Sequence, residues 1–290
     1  MSVRTVSKIS ICVAGLLACA LLLSGCVGGD QGPATPVSTQ PQVESLSVTG
    51  STTVLPIAQL AAEAYMEEHA NADILVSGGG SSVGIQSVGE GTADIGMSSR
   101  ELKPEEQEKY PGLVQHVIAK DGIAIIIHAD NPAISLTVEE VRMIYTGQIT
   151  SWNEVGGDDE EIVVVGRDSA SGTRASFEEL VMAKQEFVAT MLEKNSNGAV
   201  KQTIQQTPGA IGYVGLGYID ATVKAVPIDS DGTLIGPSVE TVLSGEYPIS
   251  RGLNMFSQGE PSGLAAEFLD FIMSAEGQAI VEDEGFVPVA

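Results

Sequence analysis

From Leu46 onward the chain alternates short apolar runs with stretches whose apolar residues recur at helical spacing. Residues 46–49, 73–77, 114–119, 123–128 and 162–165 form the runs; most are rich in Val and Ile and predict strands. Between the first two runs, Ile57, Leu60, Ala61, Ala64 and Tyr65 fall at i, i+3, i+4, i+7 and i+8, the spacing of one helical face. Phe177, Leu180 and Val181 repeat that pattern on another helix. Towards the C-terminus a strand is expected over 252–256 and helices over 262–274 and 275–284. No tandem repeat of fixed period is present. Strands alternating with helices predict an α/β architecture with a largely parallel sheet.

The first residues follow a different pattern. Arg4 and Lys8 precede an apolar run over 9–23, shorter than the roughly 20 residues that a bilayer span needs. The run ends in Leu23-Ser24-Gly25-Cys26, which resembles the lipobox of lipoproteins. Residues 1–25 therefore read as a lipoprotein signal peptide, and Cys26 as the residue that carries lipid on the outer face of the cell membrane. Residues 26–45 are rich in Gly, Pro, Ser, Thr and Gln, a composition suited to a flexible tether. Cys12 and Cys19 fall inside the signal, so the folded body has no disulfide framework, thiol nucleophile or thiolate metal site. The three histidines lack metal-ligand spacing, and no metal or cofactor is expected.

Charge narrows the partners. The chain carries 38 acidic and 14 basic side chains, a net charge of −24 that becomes −26 once Arg4 and Lys8 are removed. Nucleic acid and anionic membrane surfaces require clustered Lys and Arg, so both are excluded, and a membrane is met only through the lipid anchor. Hydrophobic residues at 43% argue against disorder.

Three strand-to-helix turns share one chemistry. Gly50-Ser51-Thr52-Thr53 follows the first strand, Gly78-Gly79-Gly80-Ser81-Ser82 the second, and Arg167-Asp168-Ser169-Ala170-Ser171-Gly172-Thr173 the run at 162–165. Each sets small residues and hydroxyls where a helix offers unpaired N–H groups and the positive end of its dipole. Any one alone reads as an ordinary cap, but three after strands, with Arg167 close by, suit a compact tetrahedral oxyanion. Arg100 and Arg174 are further cations, although Arg174 can face Glu178 one helical turn on. No Walker loop is present.

Taken in order, TGSTTVLPIAQ, VSGGGSSVGIQSVGEGTADIGMSSREL, IYTGQITSWNEVGG, GRDSASGTRASF, PGAIGYVGLGYI and FLDFIMSAEGQAIVEDEGFVPV resemble the solute-binding phosphate receptors of Pst-type ABC transporters. The resemblance spans about 47–288. It implies a type II periplasmic-binding-protein fold of two α/β lobes, each a central mixed sheet flanked by helices. Lobe one would comprise 46–127 and 248–290, lobe two 128–247, with crossings at 123–128 and 248–256. It also implies inorganic phosphate bound by Ser51, Thr52, the Thr53 backbone, Ser81, Arg167, Ser171, Gly172 and Thr173, with Arg100 as an additional contact. Ser99 stands where family members often carry an aspartate that accepts the phosphate P–OH proton, which leaves sulfate to be rejected by another acceptor. The implied protein is a monomeric, non-enzymatic receptor that delivers phosphate to a membrane permease and its ATPase.

Other readings are open. The same donors suit sulfate, molybdate or tungstate. Gly80-Ser81-Ser82-Val83-Gly84 matches the G-x-S-x-G of a serine esterase with Ser82 as nucleophile, though only His116 and His128 follow it. Asp229-Ser230-Asp231-Gly232 reads as a turn rather than a calcium loop, and Trp152 as packing. Tyr213 and Tyr218 read as core residues near the cleft.

Overall fold

A computed structural model describes residues 43–289. The signal, Cys26 and most of the tether lie outside the described residues. In chain order the first half is β1 (Glu44–Gly50), α1 (Leu55–Glu68), β2 (Ala72–Gly78), α2 (Ser81–Gly89), β3 (Ile95–Ser98), α3 (Pro104–Lys109), β4 (Leu113–His128) and α4 (Val138–Tyr145). The second half continues with β5 (Val163–Arg167), α5 (Gly172–Leu180), β6 (Leu192–Lys194), α6 (Asn197–Gln206), β7 (Ala210–Gly215) and β8 (Val223–Val226). Then follow the hairpin β9 (Ile228–Ser230) and β10 (Thr233–Ile235), α7 (Val239–Leu243), β11 (Ser250–Gln258), α8 (Leu264–Met273) and α9 (Ala275–Asp283).

The sheet is mixed, which corrects the largely parallel expectation. Its order is β2-β1-β3-β11-β4-β7-β5-β6, with β8 also on β4. β1 pairs β2 and β3 in parallel, and β5 pairs β6 and β7 in parallel. The three pairings that join these groups, β11 with β3 and β4 and β4 with β7, are antiparallel, as is the pairing of β8 with β4. The alternating sequence pattern belongs to the parallel groups; the antiparallel links come from long-range returns that no local pattern encodes.

The runs at 114–119 and 123–128 are one strand, β4, continuous through the polar residues Lys120-Asp121-Gly122. Its first part pairs with β11 as far as Gly122, and its second part with β7 from Ile123. The two largest core clusters divide at the same place. One is built from residues such as Val48, Ile57, Ile95, Leu253 and Phe268, the other from Ile125, Tyr145, Phe177 and Tyr213. Trp152 is buried in the second cluster, its indole N–H donating to the Gly209 carbonyl at 2.9 Å. Two helical positions depart from the apolar faces assigned to them: Leu60 and Leu180 are each 39% exposed, while Ile57, Ala61, Tyr65 and Phe177 are buried. The Asp229 carboxylate accepts from the Gly232 N–H at 2.7 Å inside the β9–β10 turn.

Candidate anion-binding site

Ser51, Thr52, Thr53, Ser81, Ser99, Arg167, Ser171 and Thr173 are all buried, and the turns that carry them meet. At the first turn Ser51 Oγ accepts from the Thr53 N–H at 3.2 Å, and the Leu55 N–H bonds the Ser51 carbonyl at 3.1 Å. The chain thus winds directly from β1 into α1. At the second, Gly80 has φ 99°, a value that suits glycine, and a Cβ there would lie 2.6 Å from the Ala170 carbonyl oxygen. That same carbonyl accepts from the Ser82 N–H at 3.1 Å, so the starts of α2 and α5 abut.

The third turn presses closer still. Ser171 caps α5 by accepting from the Arg174 N–H at 3.2 Å. A Cβ on Gly172 would fall 2.2 Å from Ser81 Oγ and 2.8 Å from Ser99 Oγ, so only glycine permits this approach. The Ser99 N–H donates to Ser81 Oγ at 3.0 Å, and the two hydroxyl oxygens are 3.4 Å apart. Thr53 Oγ1 and Thr173 Oγ1, from turns on the two core clusters, are 3.0 Å apart.

Arg167, at the end of β5, is 1% exposed. Its Nη2 donates to Thr52 Oγ1 at 3.2 Å and to the Asn195 carbonyl at 3.3 Å, and its Nε to the Lys194 carbonyl at 3.2 Å. Its Nη1 is buried with no partner among the described residues. Its backbone N–H donates to Tyr213 Oη at 3.2 Å, so Tyr213 supports the site from the core. Burial pushes the Arg167 guanidinium below its ordinary value, against the pull of Tyr213 and Asp168. A buried donor left unsatisfied costs about 1–3 kcal/mol or more when charged, and an anion removes that cost. Tyr218 also reaches the site, its hydroxyl donating to the Thr52 carbonyl.

Arg100 does not join the cluster. Its guanidinium holds Glu106 through two 2.7 Å bonds and donates to Ser82 Oγ at 3.1 Å. The reason is local: α3 begins with Glu106 in its first turn, within reach of a cation four residues before the helix. Burial alone would raise the Glu106 carboxyl, but Arg100 and the Lys103 N–H together bring it below its usual value. Arg174 is likewise engaged by Glu178 at 2.9 Å and Glu193 at 2.6 Å. The esterase reading finds no support, since Ser82 Oγ is bonded to Arg100, while His116 bonds Ser257 and His128 the Asp130 N–H.

Three residues join the site that sequence reasoning missed. Asn197 opens α6 behind the cap Ser196, and its Nδ2 donates to Thr52 Oγ1 at 3.2 Å and Thr53 Oγ1 at 3.0 Å. Arg251 of β11 and Asp121 of β4 are cross-strand partners, with Arg251 Nε and Nη2 2.9 and 2.7 Å from Asp121 Oδ2. Arg251 extends to the Ser99 carbonyl at 3.1 Å and Thr53 Oγ1 at 3.4 Å, and Asp121 Oδ1 accepts from the Leu216 N–H at 2.9 Å. Burial pushes the Asp121 carboxyl up and the Arg251 guanidinium down, each against the attraction of the other. The signal for Asn197 was the stretch Asn195-Ser196-Asn197-Gly198, a fourth helix start with the same small polar chemistry. Among the described residues no cluster of three His, Cys, Asp or Glu side chains could hold a metal ion.

The sequence matches the profile of the PBP superfamily domain over residues 35–276. It is 39% identical over 247 residues to the phosphate-binding protein PstS of Bacillus subtilis (strain 168), covering 84% of this chain and 81% of that protein. To PstS of Borreliella burgdorferi it is 33% identical over 253 residues, covering 84% of this chain and 90% of that one. Among solved structures, a phosphate ABC transporter substrate-binding protein from Clostridium perfringens with bound phosphate superposes with a TM-score of 0.80 at 40% identity, covering 85% of this chain and all of its own. An ABC-type phosphate transport receptor from Vibrio cholerae gives a TM-score of 0.69 at 33% identity, covering 84% of this chain and all of its own.

Proposed function

Since the chain belongs to the Pst-type phosphate-binding proteins of the PBP superfamily, we propose that it captures inorganic phosphate outside the cytoplasm and hands it to the permease of an ABC importer. The ligand-binding residues are Ser51, Thr52, Thr53, Ser81, Ser99, Arg167, Ser171, Gly172 and Thr173. The observation that carries this reading is the buried Arg167 Nη1, unpartnered among the described residues, on a guanidinium whose Nη2 bonds Thr52 where hydroxyls from three strand-to-helix turns and Ser99 are buried together.

Magnitudes agree with it. Burying an oxyanion costs several kcal/mol even after relaxation. Each charge-assisted hydrogen bond contributes roughly 1.5–3 kcal/mol, so about eight donors offset the cost with affinity to spare and two do not. Lobe one (46–127 and 248–290) contributes Ser51, Thr52, Thr53, Ser81 and Ser99, and lobe two (128–247) contributes Arg167, Ser171, Gly172 and Thr173. An anion touching both favours the closed arrangement through its differential contacts. The protein itself is a binding protein rather than an enzyme, held at the outer membrane face by lipid on Cys26.

Arg167→Ala tests this directly. Phosphate affinity, measured by calorimetry, should fall by about tenfold or more, the loss of at least one charge-assisted bond. Unchanged affinity in a folded variant would mean that the anion's charge is met elsewhere.

A further inference from the structure

Hydroxyl groups are ambivalent, each having one proton to give and two lone pairs to receive with. A site that holds an anion through hydroxyls works only if their protons point at the ligand, and the bonds around Thr52 and Thr53 decide that direction.

Asn197 is fully buried, and its amide orientation is fixed from behind: Oδ1 accepts from the Gly215 N–H at 3.3 Å at the end of β7. Nδ2 must then be the donor, and its two protons go one to Thr52 Oγ1 and one to Thr53 Oγ1. Thr52 Oγ1 receives a second bond from Arg167 Nη2, and Thr53 Oγ1 a second from Arg251 Nη2. With both lone pairs of each oxygen occupied by N–H donors, each hydroxyl can only donate. Thr53 therefore gives its proton to Thr173 Oγ1, which settles the direction of that 3.0 Å contact and frees the Thr173 proton for a further acceptor. Ser51 and Ser171 are polarised in the same sense by the backbone N–H groups of Thr53 and Arg174.

We propose that Asn197 is a positioning residue that sets the hydrogen-bond polarity of the anion site, committing the Thr52 hydroxyl, and through Thr53 the Thr173 hydroxyl, to donate towards a phosphate oxygen. The inference rests on the phosphate reading above. Asn197, a neutral amide, acts by denying two threonines the option of accepting rather than by touching the ligand.

The test is a double-mutant cycle read by calorimetry with inorganic phosphate. Asn197→Leu should weaken binding by about tenfold to a hundredfold. Combined with Thr52→Val, the loss should fall short of the product of the single losses by about threefold or more, because both substitutions remove one donor. Combined with Ser81→Ala, whose hydroxyl does not touch Asn197, the losses should multiply within about twofold. Asn197→Asp serves as a second variant of equal size: it keeps the acceptor for Gly215, turns the donors into acceptors, and should weaken binding more than Asn197→Leu. Cooperative thermal unfolding of each variant shows that it is folded. Wild-type affinity in Asn197→Asp, or full multiplication of the Asn197→Leu and Thr52→Val losses, would overturn the assignment. Failure of the unaltered protein to bind phosphate would instead defeat the functional reading on which it rests.

Discussion

At the scale of single residues, two buried arginines with similar surroundings have opposite fates, and the nearest carboxylate decides which. Arg100 is 6% exposed and has both terminal nitrogens held by Glu106, with only Nε unpartnered, whereas Arg167 is 1% exposed, meets no carboxylate and keeps the terminal Nη1 without a partner among the described residues. On the phosphate reading proposed above, the first is a structural cation and the second faces the ligand. Glu106→Gln should therefore destabilise the fold by roughly 1.5–3 kcal/mol at neutral pH while leaving phosphate affinity within a few-fold of normal. The pH dependence follows from the sign of the shift. The fold holds Glu106 below the usual 4.5, so its contribution is complete above that value and lost as pH falls through the lower folded value. Thermal melts of the two proteins should draw together as pH falls below the usual carboxylate value of 4.5. A gap that persists undiminished in acid would show that the pair is not what the substitution removed.

At the scale of elements, β4 runs from its pairing with β11 to its pairing with β7, between the two largest core clusters. Lys120-Asp121-Gly122 separates the apolar runs of β4 at 117–119 and 123–127, and Arg251 stands opposite Asp121 in the register. The polar interruption that makes β4 look like two strands in sequence is thus the place where a charge is brought between the core clusters. Removing one partner of a buried ion pair is costly, so Asp121→Ala should lower stability by about 3–5 kcal/mol in urea unfolding. A loss under 1 kcal/mol would mean that Arg251 finds water instead. The same elements show how far sequence reaches. Three helix starts were legible because Gly, Ser and Thr follow recognisable Val- and Ile-rich strands. The fourth, at Ser196 and Asn197, was hidden because β6 is only Leu192–Lys194, too short and too charged to read as a strand. Asp121 and Arg251 were silent for another reason: each lies inside a strand, and their pairing spans 130 residues. Leu60 and Leu180 fit a helical face by spacing, yet spacing alone cannot say where that face ends against the sheet.

At the scale of the whole molecule, the net charge of −24 stands beside the proposed anion site. The two are compatible because exposed carboxylates beyond about 8 Å are screened at physiological salt, whereas buried N–H groups and Arg167 act at contact distance. Bulk charge therefore speaks against polyanionic partners and not against a small oxyanion. Bonds such as Arg167 to Thr52 and Thr53 to Thr173 join turns from opposite core clusters, so on the proposed two-lobed reading cleft closure and anion binding should be coupled. In X-ray scattering the radius of gyration should shrink on adding phosphate to the mature protein and should not shrink on adding it to Arg167→Ala. Equal change in both would separate closure from the anion. The central claim is that this cluster of donors binds phosphate. Calorimetric titration of the tag-free mature body with phosphate and sulfate tests it most directly. Phosphate should bind at about micromolar affinity or tighter, near −8 kcal/mol, and sulfate more weakly. No binding of phosphate, or equal affinity for sulfate, would contradict a phosphate receptor.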